Sequence, residues 1–412
     1  MNSSIKASAE ELDYIFSTQA IRERCEKIYA LSENGKTNFK IDLSKIEEAA
    51  KLTVEQCLKN YPDLRIPFHS RWKHFNVGGI ARLKELNISL SALAPEERVN
   101  SKIDLVIVSV LLDAGAGMQW KYFEEPSQKS FSKSEGLAVA SLHMFLAGAF
   151  SSDPRNPFQV DAKGLTQLSF EKFKKYFQVS DENPLVGDLG RFELLKALGK
   201  VLSNKKDYFR HSNARPAHLL EKILPKADAL RCLKAVEILK ALQRGLGEIW
   251  PGRVEINGVN VGDVWPHPLL GNGFESLVPF HKLSQWLTYS MVDPIVELGV
   301  KVTHFNELSC LAEYRNGGLL VDTGVLSFRD SKNLSIAHKP SSEVIVEWRA
   351  MTIVLMEKVA TRVREILKKT SDELPLGKVL EGGTWWAGRV IAALKRTDAG
   401  SPILIESDGT VF

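Results

Sequence analysis

Two carboxylates stand beside glycines and tryptophans in a way that suits a bound small molecule. Asp113 opens the run Asp113-Ala-Gly-Ala-Gly117 and is followed seven positions later by Trp120. Glu381 is followed by Gly382, Gly383, Thr384 and the pair Trp385 and Trp386. Glycine lets backbone come close to a ligand and indole rings can wall its apolar face, so a carboxylate set between them can stabilise positive charge or move a proton. Each acid also has a plain structural reading, Asp113 as the end of a buried helix and Glu381-Gly-Gly-Thr as a packed helix start. The residues alone leave both open.

Basic and polar groups cluster elsewhere. Arg71-Trp72-Lys73-His74 precedes Gly78-Gly79 and suits a phosphate, with a solvated basic face as the plainer alternative. Arg315 and Asn316, in Glu313-Tyr-Arg-Asn-Gly-Gly318, could clamp a phosphate or carboxylate or bridge two acids structurally. Asp322 reads as a turn cap. His281 and Lys282 lie beside an apolar stripe with Trp286, where a hydrogen-bonded core histidine is the common outcome. Glu347 and Arg349, two apart on a helix, face different ways, so each must find its partner elsewhere. Trp265-Pro-His267-Pro reads as rigid and structural.

The whole chain narrows these options. It has 412 residues, 44% apolar and 25% charged, an ordinary globular composition. A formal charge of +4 is small for this length and argues against nucleic-acid binding while leaving a compact anion open. The four cysteines, Cys25, Cys57, Cys232 and Cys310, are widely spaced with no metal-ligand pattern, so no disulfide, metal or cofactor is expected. No apolar run approaches the roughly 18 residues that a membrane span needs. The N-terminus has no apolar leader core, and a cytoplasmic protein is the expectation. Signatures of zinc deaminases, α/β hydrolases and P-loops are absent.

The elements that must position these groups read as mainly helical. Apolar residues recur at three-four spacing over 346–367, 189–208 and 165–179, and a run over 134–148 ends at a glycine. A fifth helix is expected to start at 230 and end near Gly245. Two hairpins are predicted, one around Asn257-Gly258 and one over 319–326. The apolar run 105–112 followed by Gly115 and Gly117 resembles a strand feeding a phosphate loop, but Trp120 occupies the third glycine position of a dinucleotide fingerprint. A buried helix ending in a turn that presents Asp113, Gln119 and Trp120 is preferred. The fold expected is a compact α-rich body with one or two small hairpins, with an N-terminal helical region over 1–65 continuous with a main region over 66–412.

The runs RWKHFNVGGIARL (71–83), DLVIVSVLLDAGAGMQWKY (104–122), SEGLAVASLHMF (134–145), GDVWPHP (262–268), LVPFHKLSQWLTYS (277–290), EYRNGGLLVD (313–322), VEWRAM (346–351), LEGGTWWAGR (380–389) and the ending SDGTVF resemble, in this order, the uracil-catabolism protein 4 family, also called domain of unknown function 1688. That resemblance implies a pyrimidine-degrading route running through a uridine nucleotide and a ribosylurea species to urea. It also implies a uracil phosphoribosyltransferase and a relative of GTP cyclohydrolase II as pathway neighbours. A fainter similarity, carried by Asp113 with Trp120, Glu347 with Arg349, and Glu381 with Trp385, is to the queuosine 5′-phosphate N-glycosylase family, all-helical enzymes that hydrolyse an N-ribosidic bond. That family has an Asp where Pro279-Phe-His281-Lys282 stands here, a departure that implies either a catalytic acid placed elsewhere or a different chemistry.

Together the resemblances imply hydrolysis of the N-ribosidic bond in a phosphorylated ribosylurea, and with no metal-ligand pattern in the chain that hydrolysis is expected to be metal-independent. Glu381 and Asp113 would be the catalytic acids, facing one sugar-shaped cavity. Trp120, Arg315, Asn316, His281, Lys282, Arg71, Trp72, Trp385 and Arg349 would bind a ribosylated ureide or uridine nucleotide derivative. Neither nucleic acid nor membrane is expected as a partner, and contact with pathway enzymes is. The alternatives are an amidohydrolase of the ring-opened nucleotide and a non-catalytic scaffold for the cyclohydrolase-like enzyme.

Overall fold

The computed structural model describes residues 5–250 and 254–406, so the SDGTVF ending lies outside the described residues. The described chain is mainly α-helical, and its strands form only two-stranded sheets. No described helix is long and apolar enough to cross a membrane. The residues group into two compact units, one holding 5–69, 254–285 and 304–406, the other 70–250 and 286–303. Residues 5–65 therefore share their unit with two later stretches of the chain. The helix Lys282–Glu297 contributes its first turn to one unit and the rest to the other.

In the first unit the 25-residue helix Glu343–Leu367 packs on Thr18–Glu33 and Ile46–Asn60. Its three-four pattern becomes an almost wholly buried first half, from Val344 to Met356. Ser342 caps its N-terminus, and Lys368 closes it in the left-handed region at φ 52°. The predicted hairpin around Asn257-Gly258 is present, pairing Glu255–Ile256 with Val259–Asn260. Both turn residues have positive φ, 52° and 78°, the handedness that matches strand twist.

The second predicted hairpin is not. Residues 314–322 form the helix Tyr314–Asp322, and Leu326–Phe328 pairs instead with Phe39–Ile41. Gly317 and Gly318 read as turn formers, yet Gly317 serves helix packing: a Cβ there would lie 2.6 Å from Trp348 Nε1. The lack of a side chain brings two helices together, and periodicity alone gives no sign of it.

In the second unit the apolar run 105–112 belongs to the helix Pro95–Leu111, with Pro95 in its first turn. Every residue from Ile103 to Leu111 is buried, so the run lacks the polar face that would have marked it as helical. The helices Lys133–Leu146 and Asp188–Asn204 fall where expected. The predicted helix over 165–179 is two, Ala162–Gln167 and Phe170–Tyr176, because Leu168 is extended and the Ser169 hydroxyl accepts from Lys172 N to start a new cap. The helix expected from 230 starts at Ala235, since Cys232–Lys234 is drawn into a parallel pairing with Lys301–Thr303.

Candidate active site

Glu381 sits on a π-helical turn, Leu380–Thr384, between the helices Leu376–Val379 and Trp385–Lys395. Such turns insert an extra residue into the helical ladder and recur at functional sites. The glycines explain why it forms here. A Cβ on Gly382 would lie 2.6 Å from Ile66 Cδ1, and one on Gly383 would collide with Thr53 and Cys57 of the helix Ile46–Asn60. Gly383 admits a neighbouring helix and Gly382 the Ile66 side chain, which is the packed reading of the Gly-Gly-Thr run rather than an opening for ligand.

The turn directs Glu381 inward, where it is only 2% exposed. The Tyr61 hydroxyl donates to its Oε1 at 3.1 Å, and His69 Nδ1 lies 2.9 Å from Oε2. Each carboxyl oxygen thus has its own polar neighbour, which fixes the group in place. Burial, and then the adjacent Glu381 charge, push the Tyr61 phenol well above its ordinary range, so it stays a proton donor. Trp385 lies 6.1 Å from the His69 ring and meets Trp386 edge-on at 4.9 Å, with the Arg389 guanidinium over both indoles. Asn316 reaches the same turn, its Oδ1 accepting from the Thr384 hydroxyl at 2.9 Å. Arg315 instead donates to the Ala399 carbonyl at 2.9 Å, and Asp322 is paired with Arg396.

Asp113 belongs to the second unit, apart from Glu381 in the division of the chain. It follows the helix Pro95–Leu111, lies 3.1 Å from Arg71 Nη1, and accepts from the Ser134 hydroxyl at 2.6 Å. Arg71 is fully buried, which excludes the solvated basic face. Its Nε donates to Ser109 at 2.7 Å, Nη1 to the Ser134 carbonyl at 3.1 Å, and its guanidinium lies 5.6 Å from the Trp286 ring centre. Trp72 donates to the Ser290 carbonyl at 2.7 Å. Trp120 is not presented at the turn. It is wholly buried, stacked on Phe177 and donating to the Phe177 carbonyl, while Met118 and Gln119 before it stay exposed.

Of the other predicted residues, Arg349, His281 and Lys282 gather around Asp263 in the first unit. Arg349 grips both oxygens of Asp263 at 2.7 Å and lies over the Phe280 ring at 4.1 Å. Burial alone would raise the Asp263 carboxyl, but the Arg349 guanidinium and hydrogen bonds hold it well below its ordinary range. Asp263 also accepts from Lys282 N, anchoring the start of the helix Lys282–Glu297. His281 is the core histidine foreseen as the common outcome. Its Nε2 lies 2.9 Å from the Ile15 carbonyl, its ring stacks on Phe16, and burial lowers its pKa.

Of the predicted residues, Glu381, Trp385 and Asn316 come together, and so, separately, do Asp113, Arg71 and Trp72. Sequence reasoning passed over Tyr61, His69, Ser134 and Asp263. His69 meets Glu381 across 312 positions, so no local spacing marks it. Asp263 stands in a quoted run, and its partner Arg349 was known to need one, which is the signal that could have joined them.

Residues 14–412 match a family described as "Protein of unknown function (DUF1688)". The chain is 42% identical to "Protein urg3" of Schizosaccharomyces pombe over 417 residues, covering 98% of this chain and all of that protein. It is 37% identical to "Uracil catabolism protein 4" of Lachancea kluyveri over 437 residues, covering 97% and 99%. Agreement of this extent, running through both units and through the turn that carries Glu381, makes the chain a member of the DUF1688 family.

Proposed function

We propose that this protein acts in uracil catabolism by hydrolysing the N-ribosidic bond of a ribosylurea-type intermediate bearing a phosphate. The place in uracil catabolism follows the name of the Lachancea kluyveri relative. The chemistry rests chiefly on one observation, a buried carboxylate locked by a tyrosine and a histidine on a π-helical turn beside two tryptophans. Breaking a C1′–N bond builds positive charge on the ribose, and a fixed anion in a dry setting is what opposes it. Water adds its oxygen to C1′, and the ureido nitrogen leaves with a proton. His69, which meets Glu381 through Nδ1, supplies the imidazole that passes this proton to the leaving nitrogen. Trp385 supplies an apolar wall. The proposal gives the catalytic charge to Glu381 and gives Asp113 the task of neutralising Arg71.

The test is incubation of the pure protein with uridine monophosphate and its ring-opened derivatives, with urea and ribose 5-phosphate as the expected products. A ribosylated acid without free ribose phosphate would overturn the proposal in favour of amide hydrolysis. Protein that consumes no ureide but raises the turnover of the cyclohydrolase-like enzyme would overturn it in favour of a scaffold.

A further inference from the structure

Away from Glu381, the first unit buries a second carboxylate whose surroundings lack a permanent cation. Glu347, on the helix Glu343–Leu367, is 1% exposed. Its Oε2 accepts from Asn38 N at 2.8 Å and Asn38 Nδ2 at 3.1 Å, and its Oε1 lies 3.3 Å from His267 Nε2. Among the described residues no Lys or Arg pairs with it, since the neighbouring Arg349 is committed to Asp263. His267 is wholly buried, and its Nδ1 has no hydrogen-bond partner. Glu343, one turn earlier on the same helix face, brings a second carboxylate to the spot and is exposed. One atom from each of these three residues lies within 4.8 Å of the others.

A buried carboxylate facing another carboxylate is costly unless positive charge stands between them. A protonated His267 would answer one of the two, but only across 3.3 Å, long for a charge-assisted bond. A divalent ion answers both. One imidazole nitrogen and two carboxylates, with water completing the shell on the exposed Glu343 side, is a ligand set for a borderline transition metal rather than for calcium or magnesium. A second cluster, His211, His218 and Glu221, is less suited: His218 Nδ1 already accepts from Arg215 N–H, which leaves the proton of a neutral ring on Nε2.

We infer that His267, Glu343 and Glu347 form a binding site for a divalent transition metal, which ties the 264–270 segment to the N-terminal turns of the long helix. The inference does not depend on the hydrolytic reading, because none of the three belongs to the Glu381 cluster. The full-length chain is stripped with a chelator, dialysed, and titrated with Co²⁺ while visible d–d absorption and metal content are followed. One Co²⁺ per chain is expected, with a higher midpoint of thermal unfolding than the stripped protein has. Glu343→Gln, a surface change at the helix start, should weaken Co²⁺ binding about tenfold or more, as loss of a metal ligand does. His267→Gln should remove the absorption, with circular dichroism reporting whether the fold persists. Uptake well below one ion per chain, or a Glu343→Gln protein that binds Co²⁺ as tightly as the parent, would overturn the inference.

Discussion

Replacing Glu381 by glutamine removes one negative charge and turns an amide N–H toward His69 Nδ1, which must then accept. The amide oxygen can still accept from Tyr61 at the position now 3.1 Å away, and the shape is preserved. The charge matters through its distance from the ribose. A carboxylate at about 4 Å from a developing cation, at an effective dielectric of about 20, contributes about 4 kcal/mol to the transition state. That corresponds to about a thousandfold in rate. The assay is release of ribose 5-phosphate from the ring-opened uridine nucleotide under saturating substrate, beside a thermal melt of the same sample. Glu381→Gln should lose about three orders of magnitude in kcat with KM nearly unchanged, since the ground-state substrate carries no positive charge on the sugar. Tyr61→Phe, which loosens but does not discharge the carboxylate, should lose far less. A folded Glu381→Gln protein within tenfold of the parent would refute the electrostatic role, and a loss seen only in KM would make Glu381 a binding residue.

Glu124, gripped by Arg82 at 2.5 and 2.6 Å, is the place to look for acid sensitivity. Burial works to raise its pKa, but bonds from Arg82, Ser127 and His143 prevail and bring it to about 2 from 4.5. A lowered folded pKa means stability that is fully present above pH 4.5 and lost as pH falls toward 2, about 3 kcal/mol in all. Urea denaturation should therefore show the gap between the parent and Glu124→Gln shrinking as pH drops from 5 to 2, and a constant gap would contradict this reading. Asp113→Asn leaves the fully buried Arg71 uncompensated and should cost roughly 3 kcal/mol in the same measurement, whereas an unchanged midpoint would show that Arg71 does not depend on it. Gly383→Ala forces a methyl group into Thr53 and Cys57 and should cost about 1–3 kcal/mol, with a neutral result showing that the two helices can part there.

Much of the helical body was legible because amphipathic spacing survives in a single sequence, as over 346–367. It failed where tertiary contacts overrode local preference. Leu319 and Leu320 look like strand residues behind a glycine turn, yet the missing Cβ of Gly317 lets Trp348 approach and a helix forms. The strand Cys232–Lys234 exists only because Lys301–Thr303 pairs with it, 69 positions away by number and invisible locally. The candidate site was half legible. Glu381 and Trp385 announce themselves by composition, and Asn316 by its polar run, but Tyr61 and His69 sit in unremarkable stretches and gain meaning only from the carboxylate they hold. Arg71 shows the opposite error. Its run reads as a phosphate site or a solvated face, while serine, carboxylate and indole neighbours let the guanidinium live in the interior.

His69 and Glu381 leave the ribosome 312 positions apart, and the stretch from 70 to 250 that emerges between them builds largely within itself. The dyad thus closes only after that stretch has been made, and a polypeptide cut short anywhere before the π-turn lacks the acid altogether. A chain released before that turn holds His69 without the carboxylate it meets, and the chemistry proposed for the protein is beyond it.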